Sequence, residues 1–270
     1  MKLVDIDETT EEAFFHCLHD ERPVNPEVTQ LRRRWHQKSR DNGLRAKVLL
    51  REDDNAVVGL CQYIPIEHSP LQGEDLMVIL CIWVHGFKEH IGDQQKKGYG
   101  RFMLDCIEED AKASGAKGVV AWGMDFPDWY PVSFFEHLGY ERVVTRHPVV
   151  LCWKPFTQDA QSPSLISPKL DTMPPGSEKV KVTVFLNGWC CAGCSQALAA
   201  RKAVEGLSEH VDYEEVDTTT QSVMMSWGID SAVFLDDKQF CPYGAPWTGD
   251  ELRAEILKLS QRKRQKQDKT

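Results

Sequence analysis

The alternation of apolar and polar positions over residues 1–156 predicts a fold in which strands and helices alternate. Its clearest element is Leu76–Val84, which is almost continuously apolar and therefore predicts a central, buried strand. A helix is predicted over Gly100–Ser114 because its apolar residues share one helical face: Met103, Leu104, Ile107 and Ala111. Further strands are predicted at Lys2–Ile6, Ala46–Arg51, Ala56–Ile66, Gly118–Gly123, Glu141–Thr145 and Val149–Trp153. This order predicts an α/β (α+β) fold with a mixed sheet flanked by helices.

The other helices of this half are predicted from their start and stop signals. Thr9 and Glu12 form a capping-box pattern before a helix that runs through Cys17. Asn25, which precedes a proline, can cap a second helix. Pro131–Leu138 predicts a short helix that ends at a glycine.

A change in composition divides the chain. Residues 157–179 are rich in serine and proline and have no sustained period, so they predict a linker. The linker separates a domain over residues 1–156 from a smaller domain over residues 180–260. Residues 261–270 are basic and predict a frayed, solvated tail.

The smaller domain begins with a predicted strand, Val180–Leu186. A cysteine cluster and a helix follow it, and two more strands are predicted at Val211–Val216 and Ala232–Leu235. Met224, Met225, Trp227 and Ile229 are expected near the turn into the last of these strands. Thr248 and Glu251 form a second capping-box pattern before a final helix.

Charge and hydropathy exclude several functional classes. The formal net charge is −9, which argues against extensive nucleic-acid binding. No stretch reaches the roughly 20 apolar residues that a membrane helix needs, so we expect a cytoplasmic protein that does not bind membranes. Nine cysteines in such a chain do not predict a disulfide framework. The sequence leaves the oligomeric state open, including a homo-oligomer.

The segment Asp93–Arg101, between the apolar strand and its helix, is the clearest candidate for chemistry. A helix start exposes unpaired N–H groups, and Gly98 and Gly100 let the backbone approach an anion closely. Lys96, Lys97 and Arg101 add positive charge, so the segment predicts a pyrophosphate cradle. An ordinary turn with surface lysines is the alternative. A dinucleotide fold would need a third glycine where Met103 stands.

Two motifs carry a resemblance to a known family. The run Gln95-Lys96-Lys97-Gly98-Tyr99-Gly100 resembles the Q/R-x-x-G-x-G/A motif of the GNAT N-acetyltransferase superfamily. Downstream, Phe134-Phe135-Glu136-His137-Leu138-Gly139-Tyr140 resembles that family's F-Y-E-K-L-G-F segment. The resemblance covers residues 1–156 and implies that acetyl-CoA is the cosubstrate and that a small-molecule or peptide amine attacks its thioester directly.

The resemblance also implies which residues bind acetyl-CoA. The turn amides would hold the pyrophosphate, and the backbone at Trp83 and Val84 would hold the pantetheine arm. The complete set implied is Trp83, Val84, Gln95, Lys96, Lys97, Gly98, Tyr99, Gly100, Arg101, Asp128 and Phe135.

The catalytic acid and base are less clearly indicated. The family's usual acidic tyrosine is matched by Phe135, which cannot donate a proton, so Tyr130 is the nearby candidate. Candidate bases lie near predicted strand ends, and each could equally be an ordinary surface group: Glu74, Asp75, His85 and Asp125.

The cysteine cluster of the smaller domain lies at the start of a predicted helix. A strand, Cys-x-x-Cys at a helix start and further strands resemble a thioredoxin-like module, and the two-domain order resembles the YoaP-like proteins. Cys191 is expected to be the activated thiolate and Cys194 the resolving thiol. Alternatively, Cys190, Cys191, Cys194 and Cys241 could bind zinc, copper(I) or another soft metal ion, or they could be structural.

These observations give three hypotheses for the function, of which the third joins the other two: the cysteine module captures or presents a thiol-bearing or metal-bearing substrate to the acetyl donor. The first is an N-acetyltransferase with an appended cysteine-rich module. The second is a thiol-redox or soft-metal-binding protein whose first domain only senses acyl-CoA.

Overall fold

The computed structural model describes residues 1–18, 25–127, 129–169, 178–241 and 247–267. The chain forms two compact units. The first contains Met1–Thr29 and His36–Leu165, and the second contains Gln30–Trp35 and Ile166–Thr270. Within the described ranges, no helix is both long enough and apolar enough to cross a membrane.

The first unit is built on a seven-stranded mixed sheet in the order β1-β2-β3-β5-β6-β8-β7. Its strands are β1 (Lys2–Asp5), β2 (Arg45–Leu50), β3 (Val57–Pro65), β5 (Leu76–Val84), β6 (Gly118–Met124), β7 (Glu141–Arg146) and β8 (Val149–Pro155). A separate pair joins β4 (Leu71–Gln72) to β9 (Ser164–Leu165). The helices are α1 (Glu11–Phe15), α2 (Pro26–Arg40, shared with the second unit), α3 (Tyr99–Ala113) and α4 (Val132–Glu136).

The two central strands of this sheet separate along their length. β5 and β6 run parallel, but they pair in register only where Leu76–Val78 faces Gly118–Val120. Beyond this point β5 stays paired with β3 as far as Val84, and β6 stays paired with β8 as far as Met124. The sheet therefore opens between the carboxyl ends of β5 and β6, next to the turn that leads into α3.

Apolar packing explains why α3 lies against this sheet. Met103, Leu104, Ile107 and Ala111 are all fully buried in the main core, as the periodicity predicts. Burial of a leucine- or isoleucine-sized side chain contributes about 1.5–3 kcal/mol. The buried face of α3 therefore fixes where the helix begins relative to β5.

The second unit has a four-stranded sheet in the order β11-β10-β12-β13. Its strands are β10 (Val180–Leu186), β11 (Val211–Asp217), β12 (Ala232–Leu235) and β13 (Lys238–Gln239). Its own helices are α5 (Cys191–Val204), α6 (Gln221–Trp227) and α7 (Gly249–Gln267). β10 and β11 are parallel and joined through α5, whereas β10 and β12 are antiparallel. Buried residues of α5, α7 and the sheet form one core: Val182, Val184, Ala200, Leu252 and Ile256 are members.

The structure differs from the sequence-based expectation at four places. The N-cap of α1 is Thr10 and makes no side-chain cap bond, because its hydroxyl donates to the Asp7 carboxylate, which also accepts the Thr9 and Thr10 N–H groups. Part of the expected linker is strand β9. The residues Met224, Met225 and Trp227 belong to α6, which was not predicted. Finally, α7 continues through the basic segment to Gln267, and Lys263 Nζ contacts Asp236 Oδ1 at 2.9 Å.

Candidate functional site

The turn into α3 depends on a glycine. Gly98 is the N-cap of α3 and has a φ of +82°, in the left-handed region that only glycine adopts without strain. A Cβ placed there would meet no atom within 4 Å. The space in front of the helix start is therefore open, and no side chain caps it.

The first backbone N–H groups of α3 are available. In the described part of the chain, none of the four N–H groups from Gly98 to Arg101 donates a hydrogen bond. The first bond of the helix runs from Phe102 N–H to Gly98 O, at 3.0 Å. Unpaired N–H groups at a helix start, together with the helix dipole, favour an anion.

Exposed cationic side chains surround this helix start. Lys96, Lys97 and Arg101 are all exposed, and Lys97 Nζ donates to Gln94 Oε1 at 3.0 Å. Gln94 itself is buried, and its Nε2 donates to Gly92 O at 3.1 Å. The buried glutamine therefore links the loop to one of the lysines that the anion would meet.

Gln95 links the turn to the end of β5. Its Nε2 donates to Val84 O at 3.3 Å. A Cβ on Gly86 would lie 2.5 Å from this Nε2, so a side chain at position 86 would displace Gln95. Gly100, on the next turn of chain, allows a close approach to Phe134, whose ring atoms would lie 3.2 Å from an added Cβ.

Side chains from distant parts of the sequence cover the backbone of β5 where the sheet opens. Trp122 Nε1 donates to Leu80 O at 2.9 Å, and Ile82 N–H donates to the hydroxyl of Tyr130 at 3.1 Å. The rings of Trp122 and Tyr130 are stacked with centroids 4.5 Å apart. Tyr130 therefore places a phenol hydroxyl directly against β5 in the opening.

Burial raises the pKa of Tyr130 well above its ordinary value, because the charged phenolate would be desolvated. The hydroxyl is consequently protonated at neutral pH. Since it already accepts the Ile82 N–H, its own proton points elsewhere and can be donated.

Two candidate bases are not placed at the opening. His85 is fully buried, and its Nδ1 lies 3.1 Å from Gly92 O, a carbonyl that only accepts and so requires the proton on Nδ1. The ring supports the loop before α3. Glu74 precedes the other end of β5, a strand that spans roughly 26 Å from Leu76 to Val84 at about 3.3 Å per residue. These two expectations are corrected: strand-end position in the sequence does not say which end of the sheet a residue occupies.

The other two acidic candidates are engaged in ion pairs. Asp75 lies 3.1 Å from Lys117 Nζ, and Asp125 lies 3.0 Å from Arg142 Nη1. Both residues are exposed, so these pairs contribute little stability.

The remaining residues of the implied acetyl-CoA set divide into three groups. Phe135 is 1% exposed and packs on Tyr130, Phe134 and Tyr140, so its ring belongs to the core and does not line the opening. Asp128 lies outside the described residues. Trp83 and Tyr99 are half-buried at the end of β5 and the start of α3.

The cysteine cluster lies at the start of α5. Cys190 is the N-cap, while Cys191 and Cys194 occupy the first turn. Cys190 has a pKa lowered to about 6, first by the side chain of Cys191 and also by the N–H groups of Gly193 and Ala192. The lowered pKa arises from an interaction between these two adjacent thiols, so the expectation that Cys191 carries the activated thiolate stays a prediction.

The structure does not support a metal site at the cluster. Among the described residues, no group of three or more histidine, cysteine, aspartate or glutamate side chains could hold a metal ion. Cys241 follows β13, and its pKa is raised by burial and by Glu251.

Sequence reasoning missed two residues of the opening. Trp122 stands in the middle of the apolar run of β6 and shows no signal beyond its size. Gln94 precedes the recognised motif by one position. The contact of Trp122 joins segments far apart in the chain, and those of Gln94 depend on loop geometry. Hydrophobic periodicity predicts neither kind of contact.

A protein-family model described as the acetyltransferase (GNAT) family matches residues 6–140, which is half of the chain. No curated protein sequence matches the chain.

Several solved structures are similar to this chain. A ribosomal-protein-alanine N-acetyltransferase from Brucella melitensis has 16% identity and a TM-score of 0.44, covering 57% of this chain and 99% of that one. An aminoglycoside 6'-N-acetyltransferase from Enterococcus faecium has 14% identity and a TM-score of 0.43, covering 60% and 100%. An aminoglycoside 6'-N-acetyltransferase complexed with coenzyme A has 12% identity and a TM-score of 0.42, covering 60% and 100%.

Proposed function

Because the chain belongs to the GNAT acetyltransferase family, we propose that it transfers the acetyl group of acetyl-CoA to the amine of a small molecule or peptide. The observation that carries this proposal is the start of α3, where four N–H groups are unpaired in the described structure and the space in front of Gly98 is open. The site fits a diphosphate, since such a group needs several convergent donors and close backbone approach.

The charges around the turn support the same ligand. Lys96, Lys97 and Arg101 flank the helix start, while the protein as a whole carries a net charge of −9. A local cationic cluster in an acidic protein gives a polyanionic cosubstrate a preferred place to bind. Gln95 joins this turn to Val84 O and so sets the phosphate site at a fixed position relative to β5.

The open edge of β5 offers backbone groups to the pantetheine arm. In an antiparallel pair, successive residues direct their N–H and C=O groups to alternate sides. Ile82 directs its N–H towards Tyr130 and away from β3. By the same alternation Val84 also directs its N–H towards the opening, next to the turn that holds the diphosphate.

The chemistry supported by these groups is direct attack. The nitrogen of the amine forms a bond to the acetyl carbonyl carbon, the carbon–sulfur bond breaks, and the sulfur leaves with the electron pair of that bond. Tyr130 donates its hydroxyl proton to this sulfur and is reprotonated from solvent, while the proton lost from the amine goes to solvent. Ile82 N–H holds the phenol oxygen in place, so the donor is oriented before the reaction begins.

Calorimetric titration of the full chain with acetyl-CoA and with acetyl-pantetheine, which has no diphosphate, tests the binding mode. Charge-assisted hydrogen bonds contribute about 1.5–3 kcal/mol each, so two of them predict at least roughly 100-fold tighter binding of acetyl-CoA. Equal affinity for both compounds, or no binding of acetyl-CoA to the folded protein, would overturn the proposal. Incubation with acetyl-CoA and a panel of primary amines, read by mass spectrometry, then identifies the acceptor class.

A further inference from the structure

The acetyl-transfer site leaves one feature beside the opening without a role, an exposed tryptophan. Among the described residues, three large apolar side chains are exposed: Phe102, Phe126 and Trp129. Trp129 is the most exposed of them at 48%, although it directly precedes Tyr130, which is 8% exposed. Single exposed apolar side chains are ordinary on a protein surface, so exposure alone indicates no function. Trp129 is distinguished by the rings that it contacts.

The ring of Trp129 belongs to an aromatic cluster that includes the proton donor. Its centroid lies 5.9 Å from that of Tyr130 and 6.0 Å from that of Trp122. Trp122 and Tyr130 are stacked with centroids 4.5 Å apart, and both side chains bond the backbone of β5 in the opening. The aromatic cluster (Trp122, Trp129 and Tyr130) therefore extends from the phenol hydroxyl at β5 to an exposed indole.

The backbone of the loop between β6 and α4 holds this cluster in place. Met124 N–H donates to Tyr130 O at 2.8 Å, and Asp125 N–H donates to Pro148 O at 2.8 Å. Tyr130 has a φ of +48°, which is uncommon for a bulky residue and persists only where the surrounding structure fixes it. With this backbone, Tyr130 is buried at the opening while the preceding Trp129 stays exposed.

An exposed indole next to the proton donor is suited to a second aromatic ring from the acceptor. Aromatic rings prefer offset-stacked or edge-to-face contacts with centroids about 4.5–7 Å apart, the range found within the cluster. A ring that packs on Trp129 at this spacing extends the cluster by one member. A primary amine on a short aliphatic arm of that ring can then reach the acetyl group beside Tyr130.

We propose that Trp129 selects the acceptor, and that the acceptor is a primary amine that carries an aromatic ring on a short aliphatic arm. This inference rests on the proposed acetyl transfer and names the substrate class for it. The acceptor ring packs on Trp129 while the nitrogen attacks the acetyl carbonyl carbon, the sulfur leaves with the electron pair of the broken bond, and Tyr130 supplies its proton. Trp129 exchanges no proton and no electron, so it is a specificity-determining residue.

Acetylation kinetics of the full chain with matched amines test the ring preference. We expect kcat/KM for 2-phenylethylamine to exceed that for n-butylamine at least about tenfold, and that for 2-cyclohexylethylamine about 2–10-fold, because only the phenyl ring gains the aromatic contact. Phe-Gly-Gly places the same ring and arm at a peptide N-terminus, so its kcat/KM relative to 2-phenylethylamine tells whether a peptide or a free amine is the acceptor. Equal kcat/KM for 2-phenylethylamine and either aliphatic amine would overturn the proposal.

Variants of the loop test the role of Trp129 itself. Trp129→Ala should lower kcat/KM for 2-phenylethylamine about tenfold and leave that for n-butylamine within about twofold, while Trp129→Phe should keep most of the preference. Phe126→Ala is the matched control, because it removes another exposed ring of this loop that makes no ring contact with the cluster in the described structure. Equal losses for both amines, or a change confined to KM for acetyl-CoA, would contradict the assignment.

Calorimetric titration of the full chain saturated with coenzyme A separates this inference from the proposed function. 2-Phenylethylamine should bind at least about tenfold more tightly to wild type than to Trp129→Ala. This difference without acetylation of any amine would contradict the transferase and support the ring contact at Trp129. Acetylation of all the amines with equal kcat/KM would support the transferase and overturn the inference, as would equal binding to the two proteins.

Discussion

Two helices that begin without a side-chain cap bond, α3 and α5, differ in what their first N–H groups face. α3 begins at Gly98, and its first four N–H groups have no partner in the described structure. α5 begins at Cys190, whose own sulfur lies in the field of the following N–H groups. The same backbone feature can thus hold an external anion where the N-cap has no side chain, and stabilise an internal thiolate where the N-cap is cysteine.

The start of a third helix, α7, is capped by side chains in the usual way. α7 follows Thr248, whose N–H donates to the Glu251 carboxylate at 2.7 Å, while Glu251 N–H donates back to Thr248 Oγ1 at 3.3 Å. This capping box uses side chains of the helix itself and leaves nothing for a ligand. The starts of α3 and α5 lack such a box, as do those of α1, α4 and α6, and they are distinguished by the glycine or cysteine at their N-cap.

The largest effect is expected for Tyr130→Phe, which changes the chemistry beside α3 without changing the helix start. Loss of the donated proton should lower kcat by roughly 100-fold, because general acid catalysis contributes about 10²–10⁴-fold. KM for acetyl-CoA should stay within about threefold, since the turn amides are intact. Tyr140→Phe, which removes the hydroxyl of another buried tyrosine, serves as the control. An unchanged kcat would exclude Tyr130 as the proton donor.

Gly98→Ala should weaken acetyl-CoA binding by about tenfold or more, because its methyl group would occupy the space in front of the N–H groups. The matched control is Gly115→Ala at the other end of α3. Gly115 also has a positive φ, +87°, and open space around an added Cβ. Both variants should lose about 1–2 kcal/mol of stability through backbone strain. Calorimetry that shows the same loss of affinity in both variants would argue against the site.

The start of α5 predicts a pH-dependent stability. The pKa of Cys190 is lowered to about 6 in the folded state, below the value of about 8.5 for an unfolded cysteine. Its stabilisation is therefore complete above pH 8.5 and is lost as pH falls through 6. Denaturant unfolding of wild type and Cys190→Ala should show a difference that shrinks by about 2–3 kcal/mol between pH 9 and pH 6. A difference that is constant with pH would contradict a thiolate at this position.

Thr248→Ala should have the smallest effect. Removal of one side of the capping box should lower the free energy of unfolding by about 1 kcal/mol. Acetyl-CoA affinity and the alkylation rate of Cys190 should both stay unchanged, since α7 is capped by its own residues. A change in either would show that helix capping in general, and not the two special starts, controls these functions.

The sequence predicts the regular elements of this fold well and their lateral contacts poorly. The bounds of β5, Leu76–Val84, agree with the prediction, because a continuous apolar run leaves little choice. The apolar face of α3 is buried as its period requires. Contacts between distant segments could not be predicted in this way. Tyr130 contacts Ile82, which lies 48 residues earlier in the sequence, and no local pattern indicates such a contact.

Within the candidate sites, the sequence likewise does not predict where the imidazole of His85 and the thiol of Cys190 lie. Sequence order places His85 directly after β5, which is where a base could lie, yet the loop folds back so that Gly92 O binds its ring. Cys190 precedes the recognisable Cys-x-x-Cys pattern, and only its place as the N-cap distinguishes it. Motif spacing therefore located both helix starts, while the atoms that act there depended on how the adjoining loops fold.

Amide hydrogen exchange of the full chain, with and without saturating acetyl-CoA, tests the central claim most directly. The account predicts that the amides of Gly98–Arg101 exchange at least about tenfold more slowly with ligand, while those of Cys191–Cys194 are unchanged. If the α3 amides exchange at the same rate when acetyl-CoA is bound, the diphosphate does not bind at this helix start and the account is wrong.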